Sequence, residues 1–195
     1  MSLVRALLAV PLPEHIKESI RITQKDLQAM IPEVRWTRLE NLHLTLHFFG
    51  EIEQETLEKV KVSMLSLKGC QRPFQVEVKD LGAFPKANRP RVIWLGLEPR
   101  DQLERLYRAT RKCLRQAGLA TDSRPYSPHL TLGRLRGGKP DLTALFSSIQ
   151  RKTIDRLIID RLILYESRLR PDGAQHIPLL TVNLDDEKND IHHAT

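Results

Sequence analysis

Two stretches decide the fold of this chain, Leu42-His43-Leu44-Thr45-Leu46-His47-Phe48-Phe49-Gly50 and Pro128-His129-Leu130-Thr131-Leu132-Gly133-Arg134. Both contain the tetrapeptide His-Leu-Thr-Leu, in which polar and apolar residues alternate. This alternation predicts two β-strands, because residues two apart in a strand share a face. The histidine and threonine of each copy would face a cleft while the leucines enter a core. The copies lie too far apart for a stacked solenoid repeat and suit two duplicated lobes instead.

The two His-Thr pairs carry the groups that hydrolysis of a phosphoester requires. A histidine titrates near neutral pH, so one copy can accept a proton from water while the other donates one to the leaving oxygen. The hydroxyl groups of Thr45 and Thr131 can donate hydrogen bonds to phosphate oxygens. These residues predict in-line attack at phosphorus without a metal ion or other cofactor. Their symmetry leaves open which of His43 and His129 is the acid.

Two other interpretations of the motifs stay open. All four residues could be ordinary strand residues, since threonine is a good strand former. His43, His47 and His129 could instead hold a zinc ion. Against zinc, neither motif contains Asp or Glu, and Gly133 stands where the second copy would need a counterpart of His47. We therefore expect His47 to be a cleft-wall or packed residue.

Hydrophobic periodicity places the motifs among interleaved strands and helices. The predicted strands cover residues 4–10, 41–49, 74–78, 92–97, 129–135, 157–165 and 177–184. The predicted helices cover residues 13–30, 56–67, 103–117 and 142–150. Because helices seldom alternate one-for-one with strands, the pattern predicts an α+β fold with antiparallel sheet. We expect one bilobal domain over residues 1–184 with one motif per lobe, followed by a frayed polar tail over residues 185–195.

The composition is typical of a folded protein that handles polyanions. Of the 195 residues, 41% are hydrophobic and 28% are charged, and the net charge is +7. A basic balance favours partners such as nucleic acids. No apolar run approaches the ~20 residues of a membrane helix. Cys70 and Cys113 form no CxxC pair, which is typical of reduced thiols, so we expect a cytoplasmic protein without membrane contact.

The two motifs and their surroundings resemble the 2H phosphoesterase superfamily, which is named for two His-x-Thr-x motifs. More closely, the sequence is similar to the RNA 2′,3′-cyclic phosphodiesterases, also called 2′-5′ RNA ligases. The resemblance covers nearly the whole chain. Besides the motifs it includes the segments Gly82-Ala83-Phe84-Pro85, Arg91-Val92-Ile93-Trp94-Leu95-Gly96 and Tyr165-Glu166-Ser167-Arg168-Leu169. It implies a bilobal fold in which two antiparallel sheets flank a central cleft, with helices outside.

The resemblance also implies an activity and a role for each motif residue. The reaction would open RNA 2′,3′-cyclic phosphate ends to 2′-phosphate ends, with reverse 2′-5′ ligation as a side activity. Separately from the resemblance, we expect a monomer. His43 would be the proton donor and His129 the proton acceptor. Thr45 and Thr131 would hold the phosphate.

Two further residues are candidates for substrate binding. Arg134 lies where the family often carries a basic residue, but strand parity places it opposite His129 unless Gly133 allows a bulge. By the same parity Phe49 would face the cleft and stack on a base, whereas Phe48 would be core. One departure from the family is Gln175-His176, where an aromatic residue is often found after the turn at Gly173, so no ligand contact is carried over there.

Other functions remain open from the sequence. The same four residues would serve a phosphodiesterase acting on a small cyclic nucleotide or on a 2′-5′ oligonucleotide. A non-catalytic module that only binds RNA ends is the alternative outside the enzymes. It would bind a cyclic phosphate end without consuming it.

Overall fold

The computed structural model describes residues 3–67, 71–137, 140–149, 153–171 and 173–184. Its strands are β1 (Leu3–Pro11), β2 (Val34–Trp36), β3 (His43–Glu53), β4 (Phe74–Phe84), β5 (Val92–Glu98), β6 (His129–Leu135), β7 (Thr153–Ile159), β8 (Arg161–Arg170) and β9 (Gly173–Asn183). Its helices are α1 (Glu14–Met30), α2 (Gln54–Leu65), α3 (Arg100–Gln116) and α4 (Thr143–Ile149). Among the residues described, no helix has the length and apolar character needed to cross a membrane.

The strands form one antiparallel sheet in the order β7-β4-β5-β6-β3-β1-β8-β9, and β2 pairs with β6 beside this path. The α+β class expected from the sequence is confirmed. The two sheets implied by the resemblance are joined, because β3 and β6 pair at Leu44 and Leu130. This pair therefore connects a half that carries the first motif with a half that carries the second.

The helices cover the sheet with one apolar face each. In α1, Ile16, Ile20 and Leu27 recur at helical spacing and are at most 1% exposed. The motif leucines Leu44 and Leu130 are fully buried. Burial of one strand face under the helices leaves the opposite face, with the motif histidines and threonines, to line the site.

Two strand predictions are wrong at their boundaries. The predicted strand 157–165 is two strands, since β7 ends at Ile159 and pairs with β4 while β8 begins at Arg161 and pairs with β1. The predicted strand 74–78 continues to Phe84 as β4, past a bulge at Asp80. Asp80 has a φ of 54°, a conformation that Asp tolerates better than most residues.

The break between β7 and β8 also determines the shape of the sheet. Asp160 alone connects β7, at one end of the strand order, to β8, near the other end. One linking residue spans only ~7 Å, so the sheet must curl until its two ends approach. The predicted frayed tail, residues 185–195, lies outside the described residues.

Candidate active site

The two motifs meet at the middle of the sheet. Leu44 of β3 is directly opposite Leu130 of β6 in an antiparallel register. Continued by one residue in each direction, that register places each motif histidine across from the threonine of the other copy. These facing pairs are His43–Thr131 and His129–Thr45. All four residues are half-buried.

A bulge follows the threonine in the first motif. Thr45 pairs with Ala9 of β1 and His47 pairs with Leu8, so Leu46 is an extra residue in β3. Bulges of this kind let two successive side chains point to the same side, and Leu46 and His47 are both buried. The residue at the next position, Phe48, therefore returns to the face of Thr45.

The second motif carries the same irregularity. Thr131 pairs with Trp94 of β5 and Gly133 pairs with Ile93, which leaves Leu132 as the extra residue of β6. The alternation is reset, and Arg134 shares the face of Thr131. The bulge that the sequence allowed at Gly133 is thus present, and it brings Arg134 to the face of the motif threonine.

The bulges overturn the expected positions of the two phenylalanines. Phe48, predicted as core, is 57% exposed and lies under the guanidinium of Arg5, 4.9 Å from the ring centroid. Phe49, predicted to face the cleft and stack on a base, packs against the core and lies 6.3 Å from the ring of His47. Regular alternation does not hold here because Leu46 is an extra residue, and a second register shift follows at Phe49.

Backbone carbonyls fix both motif histidines in the same way. Nδ1 of His43 lies 2.8 Å from the carbonyl oxygen of Asn41, and Nδ1 of His129 lies 2.7 Å from that of Ser127. A carbonyl oxygen only accepts hydrogen bonds, so each Nδ1 carries a proton and donates it. In the neutral state each Nε2 is then left as a proton acceptor, the tautomer that acid–base chemistry at Nε2 requires.

Electrostatics hold both motif histidines neutral. Burial, with a smaller contribution from the positive charges of His176 and His129, lowers the pKa of His43 to about 4. Burial also lowers the pKa of His129, and the charge of Arg134 acts in the same direction. At neutral pH the free site therefore has two proton acceptors beside a fixed cation, which is an arrangement that favours an anionic ligand.

Aromatic residues that the sequence reasoning missed surround the two imidazoles. Phe84 lies edge-on to His129 with ring centroids 4.9 Å apart, and Trp94 lies 6.3 Å away. On the other side, His176 lies edge-on to His43 at 4.9 Å and packs against Tyr165. The segments of the resemblance that contain Phe84, Trp94 and Tyr165 were a signal for three of them. His176 falls at the noted departure from the family and had no such signal.

His47 belongs to the packed interior and not to the site. Its Nε2 lies 2.7 Å from Oγ1 of Thr110, and its ring stacks on Tyr107 at 4.7 Å. Thr110 already donates to the carbonyl of Tyr107, so Nε2 of His47 is the donor in the first contact. The three-histidine zinc site is thereby contradicted, and no group of three His, Cys, Asp or Glu residues in the described part of the chain could hold a metal ion.

Comparisons with known proteins agree with this architecture. The RNA 2′,3′-cyclic phosphodiesterase of Methanothermobacter thermautotrophicus is 32% identical over 173 residues, which cover 87% of this chain and 93% of that protein. The protein of the same name from Thermotoga maritima is 30% identical over 175 residues, covering 87% and 90%.

Solved structures share the fold. A protein of Thermus thermophilus superposes with a TM-score of 0.78 at 24% identity, covering 94% of this chain and 99% of that one. E. coli LigT in complex with 3′-AMP gives 0.72 at 25% identity with the same coverage. The LigT-like phosphoesterase family matches residues 10–94 and 95–174, one motif in each match. The chain belongs to the LigT-like phosphoesterase family.

Proposed function

We propose that this chain hydrolyses RNA 2′,3′-cyclic phosphate ends to 2′-phosphate ends by metal-independent acid–base catalysis. The observation that carries the proposal is the pair of equivalent imidazoles, each with Nδ1 bonded to a backbone carbonyl and Nε2 free to exchange a proton. Relatives named RNA 2′,3′-cyclic phosphodiesterase at about 30% identity support the substrate class. The solved relative in complex with 3′-AMP supports a nucleotide phosphate as the ligand of the site.

The geometry suggests how the reaction proceeds. Nε2 of His129 accepts a proton from water as the water oxygen bonds to phosphorus in line with O3′. The P–O3′ bond breaks, and protonated His43 donates its Nε2 proton to O3′, which leaves the phosphate on O2′. Thr45, Thr131 and Arg134 would hold the non-bridging oxygens and their negative charge. The assignment of His43 as acid rests on the family resemblance.

The acid must gain its proton when substrate binds. His43 has a pKa of about 4 in the free protein and is therefore neutral at pH 7. A cyclic phosphate carries a negative charge, and an opposite charge close to an imidazole favours the protonated form. Bound substrate thus favours the protonated form of His43, which burial disfavours in the free protein. Phosphate binding is therefore accompanied by proton uptake.

The test is an incubation with an RNA oligomer ending in a 2′,3′-cyclic phosphate, in the presence of EDTA, followed by identification of the product isomer. His43→Ala and His129→Ala are compared with His15→Ala, which removes an exposed histidine of α1. We expect a 2′-phosphate product, loss of at least ~100-fold in rate for each motif variant, and no loss for the control.

Other outcomes distinguish the alternatives. A 3′-phosphate product would keep the phosphoesterase class and reverse the leaving group. Turnover that requires added zinc would overturn metal-independent catalysis. Binding of the cyclic end without turnover would indicate the RNA-end-binding module, and turnover of a cyclic mononucleotide alone would indicate the small-substrate enzyme. The same preparation, supplied with a 2′,3′-cyclic end and a 5′-hydroxyl end, tests reverse ligation.

We further propose a monomeric enzyme in the cytoplasm, where RNA is processed.

A further inference from the structure

Three exposed arginines near the site have no carboxylate partner among the described residues. Arg35, Arg134 and Arg136 are exposed and form no ion pair with a carboxylate in the described part of the chain. Many other arginines of the described residues pair with a neighbouring carboxylate. Such pairs are Arg21–Glu18, Arg105–Asp101, Arg124–Asp122, Arg161–Asp160 and Arg168–Glu166. The three unpaired guanidinium groups are therefore available to an external anion.

The pairing of β2 with β6 arranges these arginines in a line that leads away from the site. Arg35 is directly opposite Arg134, so their side chains share one face. That face is the face of Thr131, and the charge of Arg134 reaches His129. The backbone N–H of Arg136 donates to the carbonyl oxygen of Glu33, which extends the pairing by one residue. From His129 to Arg136 the strand covers roughly 20 Å.

A groove of about 490 Å³ lies at the far end of this line. Arg35 and Arg136 both line it, together with Trp36 and Gly137. Glu33 is the one acidic residue on its lining, and it forms no ion pair with either arginine. The groove thus presents two cations that have no carboxylate partner within the described ranges.

We propose that Arg35 and Arg136 bind the backbone of single-stranded RNA upstream of the reacting end, with Arg134 linking this track to the site. The inference rests on the proposed function and extends it to substrate length. A cyclic phosphate is at the 3′ end, so all other nucleotides must leave the site in one direction. Guanidinium groups suit the phosphates of a single strand, and a positively charged groove that follows the backbone is one of the elements of single-strand recognition.

The track predicts a preference for oligomers over mononucleotides. A cyclic mononucleotide fills the site between the histidines and has no phosphate left for Arg35 or Arg136. An oligomer engages both arginines. Each phosphate of a single strand that is neutralised makes the slope of log affinity against log salt concentration more negative by ~0.7. The preference should therefore be largest at low salt.

The experiment compares kcat/KM for a cyclic mononucleotide with that for a hexamer of the same 3′ nucleotide, each with a 2′,3′-cyclic phosphate, between 20 and 300 mM salt. The test variant is Arg35→Gln with Arg136→Gln. The matched control is Lys112→Gln with Arg115→Gln, which removes two exposed charges from α3. Binding of a hexamer with a 2′-phosphate end is measured in parallel by fluorescence anisotropy.

We expect the wild type and the control to favour the hexamer by ~10-fold or more at low salt. The test variant should lose this advantage, while its kcat/KM for the mononucleotide stays within 2-fold of wild type. For hexamer binding, its slope of log affinity against log salt concentration should be less negative by ~1.4. Equal use of both substrates by the wild type, or an unchanged hexamer preference in the test variant, would overturn the track. Absence of turnover on both substrates, with hexamer binding still weakened only in the test variant, would overturn the proposed function but support the track. Hexamer binding equal in the test variant and the wild type, without turnover, would overturn both.

Discussion

Leu44 and Leu130 lie directly opposite each other, and both are fully buried where the two halves of the sheet meet. Their pairing relates the two motifs by an approximate twofold axis. Each motif histidine therefore lies across from the threonine of the other copy, and the bulge after each threonine is repeated as well. A phosphate on this axis would contact one threonine and one histidine from each half.

This symmetry predicts that the two threonines matter equally. Thr45→Val and Thr131→Val keep the side-chain shape but remove a hydroxyl donor to a charged phosphate, which is worth ~1.5–3 kcal/mol. Each variant should lose roughly 10- to 100-fold in kcat/KM on a cyclic phosphate end. Steady-state kinetics check this, with Thr181→Val on exposed β9 as the control. Loss in only one of the two variants would show that phosphate lies off the axis.

The pH dependence of kcat/KM should be bell-shaped and displaced to acid pH. This parameter reports the free enzyme, in which the pKa of His43 is about 4 and burial lowers that of His129 below 6.5. The form with one histidine protonated and the other neutral is most populated between these two values. We expect the maximum below pH 6.5.

The profile of kcat itself should lie at higher pH, since bound phosphate favours the protonated imidazole. Rates on a cyclic phosphate end at saturating and limiting concentrations separate the two profiles, and circular dichroism at each pH confirms that the fold persists. A rise of kcat/KM from pH 6.5 to pH 8 would contradict the prediction. It would require a free-enzyme acid or base with a pKa above that of both motif histidines.

His176 should set the proton affinity of His43. The rings lie 4.9 Å apart, and the positive charge of His176 is the second cause that lowers the pKa of His43, after burial. His176→Gln removes that charge, so the pKa of His43 should rise from about 4 and the acid limb of kcat/KM should move with it. Proton NMR titration of the His43 ring measures the change, with His15→Gln as control. An unmoved His43 pKa would mean that burial alone holds it down.

The sequence predicted the strands of both motifs, and the face that each histidine shares with its threonine, because alternation and repetition are local signals. It did not predict on which face Phe48, Phe49 and Arg134 would lie. Their faces depend on one extra residue after each threonine, and a leucine in a bulge has the same hydrophobicity as a leucine in a regular ladder. The extra residue is visible only in the partner strand's register.

The other misses have a similar origin in long-range contacts. The strand pattern runs from Leu157 to Tyr165 without glycine or proline, although the chain changes partner strand at Asp160. β2 has only three residues, and it forms a strand because its backbone pairs with that of β6. His176 reaches His43 through the pairing of β8 with β9, which no local pattern encodes.

Buried His47 should make the fold sensitive to acid. Burial, assisted by the charge of Arg111, lowers its pKa to about 4 from the 6.5 of an unfolded chain. A depressed pKa means that the full contribution to stability is present above pH 6.5 and is lost as pH falls toward 4. For a group 5% exposed this amounts to roughly 3 kcal/mol.

Urea unfolding at pH 7 and at pH 4.5 measures this loss. His47→Gln should be less stable than the wild type at pH 7, because the stacking on Tyr107 is lost, and should show a smaller drop in the free energy of unfolding between the two pH values. His15→Gln should keep the wild-type drop. An equal drop in all three proteins would assign the acid sensitivity to other groups, with His43 the next to test.

Gly133 should be irreplaceable at the point where β2 meets β6. A Cβ atom built on Gly133 would lie 2.9 Å from the carbonyl oxygen of Arg35 and would overlap the side chain of Val34. Both neighbours belong to β2, so Gly133→Ala must push this strand away or strain it, at a cost of ~1–3 kcal/mol. Gly137→Ala is the matched control, because no atom lies within 4 Å of its Cβ position. Urea unfolding should show a lower midpoint for Gly133→Ala and an unchanged or higher midpoint for Gly137→Ala.

Since β2 carries Arg35, Gly133→Ala should also reduce the preference for a hexamer over a cyclic mononucleotide. Equal urea midpoints for Gly133→Ala and Gly137→Ala would mean that β2 moves to accept the methyl group without a loss of stability, and that its pairing with β6 contributes little to the fold.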